Sequence, residues 1–251
     1  MTYCIAVSVK GGLVLTSDSR TNAGIDNVSV HCKMHVMPTF DDRKIILLSA
    51  GNLATTQAVL DQLRRDIKEG SKINLNTVHY LSEAAEYLGQ VSLAKQKRHA
   101  NAGQNGFFPA ATFLLAGQID GEPHGAYLVY PEGNYITTST QTPYLQIGEN
   151  KYGKPVLDRF LKTDTSLEDA VRCCLISMDS TIRSNASVGA PVDLLIYGKD
   201  SLMLDEYYCF QEDDEYLIQL RRIWHEKLRE AFTTLPQVSR EYSRPFPFHE
   251  H

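Results

Sequence analysis

The spacing of apolar positions changes along the chain, and the changes divide it into elements. Residues 3–9 alternate imperfectly and are rich in β-formers, which predicts a strand. Gly11-Gly12 is a turn signal, and Leu13-Val14-Leu15-Thr16-Ser17 reads as the returning strand of a hairpin. Residues 28–37 and 44–49 predict two further strands. In the first of these a period of two puts His31, Lys33 and His35 on one face. Cys32, Met34 and Val36 fall on the other, an apolar face expected in the core. Gly51-Asn52 breaks the pattern, and Asn52 is suited to cap a helix. Leu53, Leu60, Leu63 and Ile67 then recur at helical spacing as far as Gly70. Val78, Leu81, Ala85 and Leu88 mark a second helix reaching to about residue 97.

Residues 101–109 read as a loop containing glycine and asparagine. Strands are expected at 111–119, 125–130 and 135–139, and a helix at 154–161. Thr165-Ser166-Leu167-Glu168 has the form of a capping box opening a long helix. That helix carries Leu167, Ala170, Val171, Cys174, Leu175, Met178 and Ile182 at helical spacing. Residues 192–197 and 207–210 read as strands. Leu217, Leu220, Trp224 and Leu228 mark a last helix, and 240–251 is a tail with proline and aromatic residues. Segregated strands and helices joined by antiparallel hairpins indicate the α+β class. Neither a linker nor an internal repeat is visible, so residues 1–251 are expected to form one domain ending in the 240–251 tail.

Composition narrows the function. The chain of 251 residues is 43% hydrophobic and 22% charged, with a net charge of −5. That balance argues against nucleic acid as a partner, because phosphate binding needs a basic face. No apolar run approaches the ~18–20 residues of a membrane span. The N-terminus lacks a secretory signal, and a cytoplasmic location is expected. Cys4, Cys32, Cys173, Cys174 and Cys209 have no disulfide-like spacing and apolar neighbours, which suggests buried thiols in a reducing compartment. No cofactor is implied. A metal shared by His31, Cys32 and His35 is disfavoured, because a strand sends Cys32 to the face opposite the histidines. Cys173-Cys174 reads as helix core.

The chemistry is concentrated at the start. Once Met1 is removed, Thr2 presents a hydroxyl nucleophile and, on the same residue, an amine able to act as its base. Such an amine titrates near pH ~7.7–8.0, so a useful fraction is neutral at physiological pH. A threonine at position 2 is more often only a small residue that permits methionine removal. What changes the reading is the ordered set that follows it: Gly11-Gly12, Asp18-Ser19-Arg20, Thr21, Ala23-Gly24, Lys33 and Ser49-Ala50-Gly51, with Gly148 and Ser187-Val188-Gly189 later. This set resembles the proteasome β-subunit family of N-terminal nucleophile hydrolases, and within it the bacterial ancestral β-subunit (Anbu) branch. The resemblance runs over nearly the whole chain.

The resemblance implies a four-layer αββα sandwich of two antiparallel sheets between helices, with the active site at one edge. It implies a threonine peptidase working through an acyl-enzyme on Thr2. Lys33 would assist the hydroxyl and lower the amine's pKa, with Asp18 fixing Lys33. The Gly51 N–H would serve as oxyanion donor, an effect worth roughly 3–4 kcal/mol elsewhere. Ser187 would hydrogen-bond the Thr2 amine. Thr21 would pair with the substrate backbone as an added strand. The strand period adds His31 and His35 as pocket residues beside Lys33. Histidine chemistry would then make binding vary between about pH 6 and 8.

The sequence departs from the family pattern twice: Ser184 stands where an aspartate is common, and Glu149 where a serine is common. The nearest alternative to the peptidase is an N-terminal nucleophile amidohydrolase acting on a small amide, and these departures give weight to another, a catalytically weak scaffold for assembly or peptide binding. The implied partners are a peptide or unfolded-protein substrate and further copies of the chain, in a ring or ring-like homo-oligomer. No residue pattern identifies an unfoldase. Val59 and Val91 lie beyond the main apolar face of their helices, and are expected to meet a neighbouring copy.

Overall fold

Strands β1 (Tyr3–Val9) and β2 (Gly12–Asp18) form an antiparallel hairpin in which Ala6 lies opposite Leu15 and Val7 opposite Val14. Residues 1–22, 28–102, 109–239 and 242–244 are described by the computed structural model. Short strands β3 (Arg20–Asn22) and β4 (Val28–Val30) pair with each other. They are followed by β5 (Met34–Val36), β6 (Arg43–Gly51), α1 (Leu53–Glu69) and α2 (Leu81–Ala102). The middle of the chain is strand: β7 (Ala111–Ile119), β8 (Gly125–Val129), β9 (Tyr135–Thr137) and β10 (Tyr144–Gly148). Helices α3 (Lys154–Phe160) and α4 (Leu167–Ser184), strands β11 (Val192–Gly198) and β12 (Glu206–Phe210), and helix α5 (Glu215–Thr233) complete it.

These elements make two five-stranded antiparallel sheets, in orders β10-β1-β2-β11-β12 and β5-β6-β7-β8-β9. Alternate residues of each central strand face different layers. Cys4, Ala6, Leu13 and Leu15 meet Ile46, Leu48, Leu114 and Ala116 between the sheets. Tyr3, Ile5 and Val7 point the other way, into a core shared with Leu157 and with Cys174, Leu175 and Met178 of α4. Ile45, Leu47 and Phe113 pack under Leu60, Leu63 and Leu88 of the first two helices. The result is the expected αββα sandwich. Burial on both faces explains why β1 and β2 show so imperfect an alternation: neither face needs polar residues.

Several local signals act where they were read. The Asn52 side chain accepts from the Thr55 N–H at 3.0 Å, and Gly70 ends α1 in the left-handed region with φ 64°. The second capping signal is displaced by one residue. Ser166 is the N-cap of α4 and accepts from the Asp169 N–H, so Thr165 and Glu168 are not the pair.

Other expectations need correction. The single strand over 28–37 is two strands in different sheets. Val30 pairs with Arg20, the His31 N–H donates to the Ser19 carbonyl, and Met34 pairs with Leu48. Residues 31–33 cross between the sheets, so strict alternation fails there. Cys32 is exposed and Val36 is 50% exposed, leaving Met34 as the buried member of that set. Cys209 is exposed as well, while Cys4, Cys173 and Cys174 are buried. Strands β3 and β10 have no strong local signal. Each is short, and β10 is made by its partner: Ala6 and Val7 of β1 pair with Leu145 and Tyr144. Val59 is wholly buried and so is not free to meet another copy, while Val91 is partly buried and packs one side against the same core. Ala23-Gly24, most of the 101–109 loop and nearly all of the 240–251 tail lie outside the described residues.

Candidate active site

The end of β6 sets one wall of the site. Gly51 has φ +108°, and a Cβ there would overlap the Ala110 carbonyl oxygen. Only glycine lets the strand turn into the Asn52 cap at that point. The Ser49 N–H just before it donates to the Lys33 carbonyl at 3.0 Å. This bond ties the crossing segment 31–33 to the Ser49-Ala50-Gly51 stretch.

The crossing segment supplies Lys33. Its Nζ donates to Asp18 Oδ1 at 2.7 Å and to the Arg20 carbonyl at 2.6 Å. Asp18 ends β2 and is wholly buried. It accepts the Tyr3 N–H on Oδ1 at 2.9 Å and the Gly189 N–H on Oδ2 at 3.2 Å. Burial pushes the Asp18 carboxyl up from its ordinary value, while the Lys33 charge and the three donors oppose that push. Three donors and no acceptor is the hydrogen-bond complement of a carboxylate. Asp18 thereby joins β1, the crossing segment and the loop after α4.

A cavity of about 350 Å³ opens beside this pair, within the range of small-ligand sites. Met1, Thr2, Lys33 and Gly51 line it, as do Thr21, His31 and His35. Asp18 sits behind Lys33 and does not reach the wall. Ser187 is outside the lining too. Its N–H donates to Asn185 Oδ1 at 3.0 Å, and it belongs to the loop whose Gly189 holds Asp18. Ser184 is exposed.

At the opposite edge, β10 brings its last residues against Thr2. The Glu149 N–H donates to the Thr2 carbonyl at 2.7 Å. Gly148 has φ +84°, and a Cβ there would overlap that same carbonyl oxygen and lie 3.3 Å from Thr2 Cβ. Glycine at 148 is therefore required for the close approach.

Electrostatics change the expectation for the histidines. Burial, reinforced by the Arg64 charge and opposed by Asp193, lowers His35 to about 4. His35 is neutral across pH 6–8 and carries no switch in that window. Cys32 lines the same cavity as both histidines, since residues 31–33 are not strand. The geometric reason for separating Cys32 from them therefore does not hold. Among the described residues no group of three or more His, Cys, Asp or Glu side chains is arranged to hold a metal. Cys4, two residues from Thr2, is wholly buried and its thiol is pushed well above the usual range, so it offers no competing thiolate.

Sequence reasoning missed part of this wall. Leu53, Thr56 and Gln57 reach the cavity from the first turns of α1, and Asn185 links two site segments as the C-cap of α4. An asparagine at a helix end is a stop signal. Its second partner is visible only in three dimensions.

The proteasome subunit family model matches residues 2–197. The proteasome subunit beta 1 of Pyrobaculum aerophilum is 25% identical over 197 residues, 78% of this chain and 89% of that protein. Among solved structures, Anbu (ancestral beta-subunit) from Yersinia bercovieri is 42% identical with a TM-score of 0.89, covering 94% of this chain and 99% of its own. A helical assembly of the Anbu complex from Pseudomonas aeruginosa is 41% identical with a TM-score of 0.90, covering 96% and 100%.

Proposed function

Since the chain belongs to the proteasome subunit family, we propose that it is a threonine peptidase whose nucleophile is Thr2 after Met1 is cleaved. The observation that carries the reading is the shared wall of Thr2 and Lys33, with Lys33 anchored by the buried Asp18. Met1 lines the same cavity, so its removal exposes the Thr2 amine there.

The Thr2 amine takes the hydroxyl proton as Oγ attacks the substrate carbonyl carbon, and the carbonyl oxygen becomes an oxyanion. Lys33 places a fixed cation beside the developing charge. Gly51, at the strand end, supplies a backbone N–H to the oxyanion. Collapse breaks the peptide C–N bond, and the α-ammonium returns its proton to the departing amine. Water, deprotonated by the same amine, then hydrolyses the Thr2 ester. Thr21 pairs with an extended substrate.

The protein acts on peptides or unfolded chains as part of a homo-oligomer, as the Pseudomonas Anbu complex forms a helical assembly. Enclosure keeps such a site from cutting folding chains. Five free thiols favour a reducing compartment, and the cytoplasm is the proposed location. No helix among the described residues is long and apolar enough to cross a membrane.

The test combines intact mass with a β-lactone or epoxyketone probe. Mature protein lacking Met1, with label on Thr2 and peptide turnover that Thr2→Ala abolishes, supports the proposal. Retained Met1 with unimpaired peptide hydrolysis rejects the terminal-amine mechanism.

A further inference from the structure

Glu149 is a buried carboxylate, 6% exposed, with neutral donors as its partners. Oε2 accepts from Asn185 Nδ2 at 3.0 Å and Oε1 from the Lys151 N–H at 3.3 Å. Among the described residues it takes part in no ion pair. A carboxylate removed from water normally sits against a cation.

Its cross-strand neighbour is Thr2. The pairing of Tyr3 with Gly148 sets Thr2 and Glu149 opposite each other, joined by the 2.7 Å bond from the Glu149 N–H to the Thr2 carbonyl. Cleavage of Met1 creates an α-ammonium on Thr2. The carboxylate is also held. The Asn185 amide donates to Glu149 through Nδ2 and accepts the Ser187 N–H on Oδ1, so both ends of that amide are used.

We propose that Glu149, oriented by Asn185, is the positioning residue for the Thr2 α-amine and stabilises its ammonium form during acyl transfer. This rests on Thr2 being the nucleophile. The titratable groups around the amine are then Lys33, His31, Cys32 and His35, which line the cavity with Thr2, Asp18 behind Lys33, and Glu149 after β10. The Lys33 cation opposes a positive charge on the amine and the Glu149 carboxylate favours it, so the two act in opposite directions on the base. Asn185 adds no charge.

The experiment follows the Thr2 amine directly, by NMR of mature protein labelled with ¹⁵N-threonine, alongside pH profiles of kcat and KM. Glu149→Gln, which keeps the shape, is expected to lower the amine's pKa by about one unit. The acid limb of kcat/KM should move to lower pH by the same amount. Turnover should fall about tenfold with KM within twofold. Asn185→Ala frees the carboxylate and should move the amine the same way by less, and it serves as the test if Glu149→Gln fails to fold. Ser184→Ala, on the exposed side of α4, should change nothing. An amine pKa unmoved by both variants overturns the proposal even where turnover falls. Absence of probe labelling in the wild type instead overturns Thr2 as nucleophile, while the NMR titration still reads the effect of Glu149.

Discussion

Lys33 Nζ lies 2.7 Å from Asp18 Oδ1, and both side chains are nearly or wholly out of solvent. The pair joins the crossing segment to the end of β2, with Lys33 in the wall of the cavity that Thr2 lines and Asp18 behind it. A buried pair of this kind is sensitive to losing one partner, because the other charge is left uncompensated.

Lys33→Ala should therefore do two things. Peptide turnover should fall to near the Thr2→Ala level, and urea unfolding should show a loss of roughly 3–5 kcal/mol. Lys33→Met combined with Asp18→Asn should recover most of the stability and none of the activity. A single Lys33→Ala variant with wild-type stability would mean that Asp18 is not charged in the folded protein.

His35 gives a pH prediction whose sign is fixed by its lowered value. Its pKa is near 6.5 in the unfolded chain and about 4 in the fold, so the unfolded state binds the extra proton between those values. Stability contributed by neutral His35 is fully present above pH ~6.5 and is lost as pH falls toward 4. The loss should be roughly 1–2 kcal/mol once partial solvent screening is allowed for. His35→Gln should flatten the chemical-denaturation midpoint over that window. An unchanged slope would place the responsible protonation elsewhere.

Gly148→Ala tests the close approach of β10 to Thr2. The added methyl meets the Thr2 carbonyl oxygen in a backbone conformation that disfavours a side chain. Turnover should drop at least tenfold, since displacement of a nucleophile by about 1 Å costs rates of that order or more. The far-UV spectrum should stay unchanged. Full activity in this variant would show that the strand end relaxes away from Thr2.

Assembly is expected to depend on surfaces other than Val59, which lies in the protomer core. Val59→Asp should unfold the protomer, by more than about 4 kcal/mol, because it buries an unpaired charge in the core of α1. Wild-type protein at micromolar concentration should sediment well above its 28.2 kDa monomer mass. A stable monomer would reject enclosure of the site and favour a small-amide hydrolase.

The sequence by itself determined the elements whose signals are local. The Tyr3–Val9 and Gly12–Asp18 hairpin, the Asn52 cap and Gly70 stop of α1, and the long α4 are written in turn residues, caps and periodicity. The Thr2, Asp18, Lys33 and Ser49-Ala50-Gly51 set was also legible, because its order along the chain is distinctive. Tertiary structure decided what depends on partners far away in the chain. Strand β10 exists because β1 offers it an unpaired edge, and residues 31–33 leave strand geometry because Ser19, between β2 and β3, binds one end of them and Ser49 of β6 the other. His35 loses its neutral-pH titration through burial and Arg64, and Val59 loses its freedom to α2 and the sheet. Asn185 acquires a second partner only when the end of α4 meets the end of β10. Periodicity reports which face of an element is apolar. It carries no information about which distant residue covers that face, and at this site the covering residues set the charge, the register and the reach of every side chain.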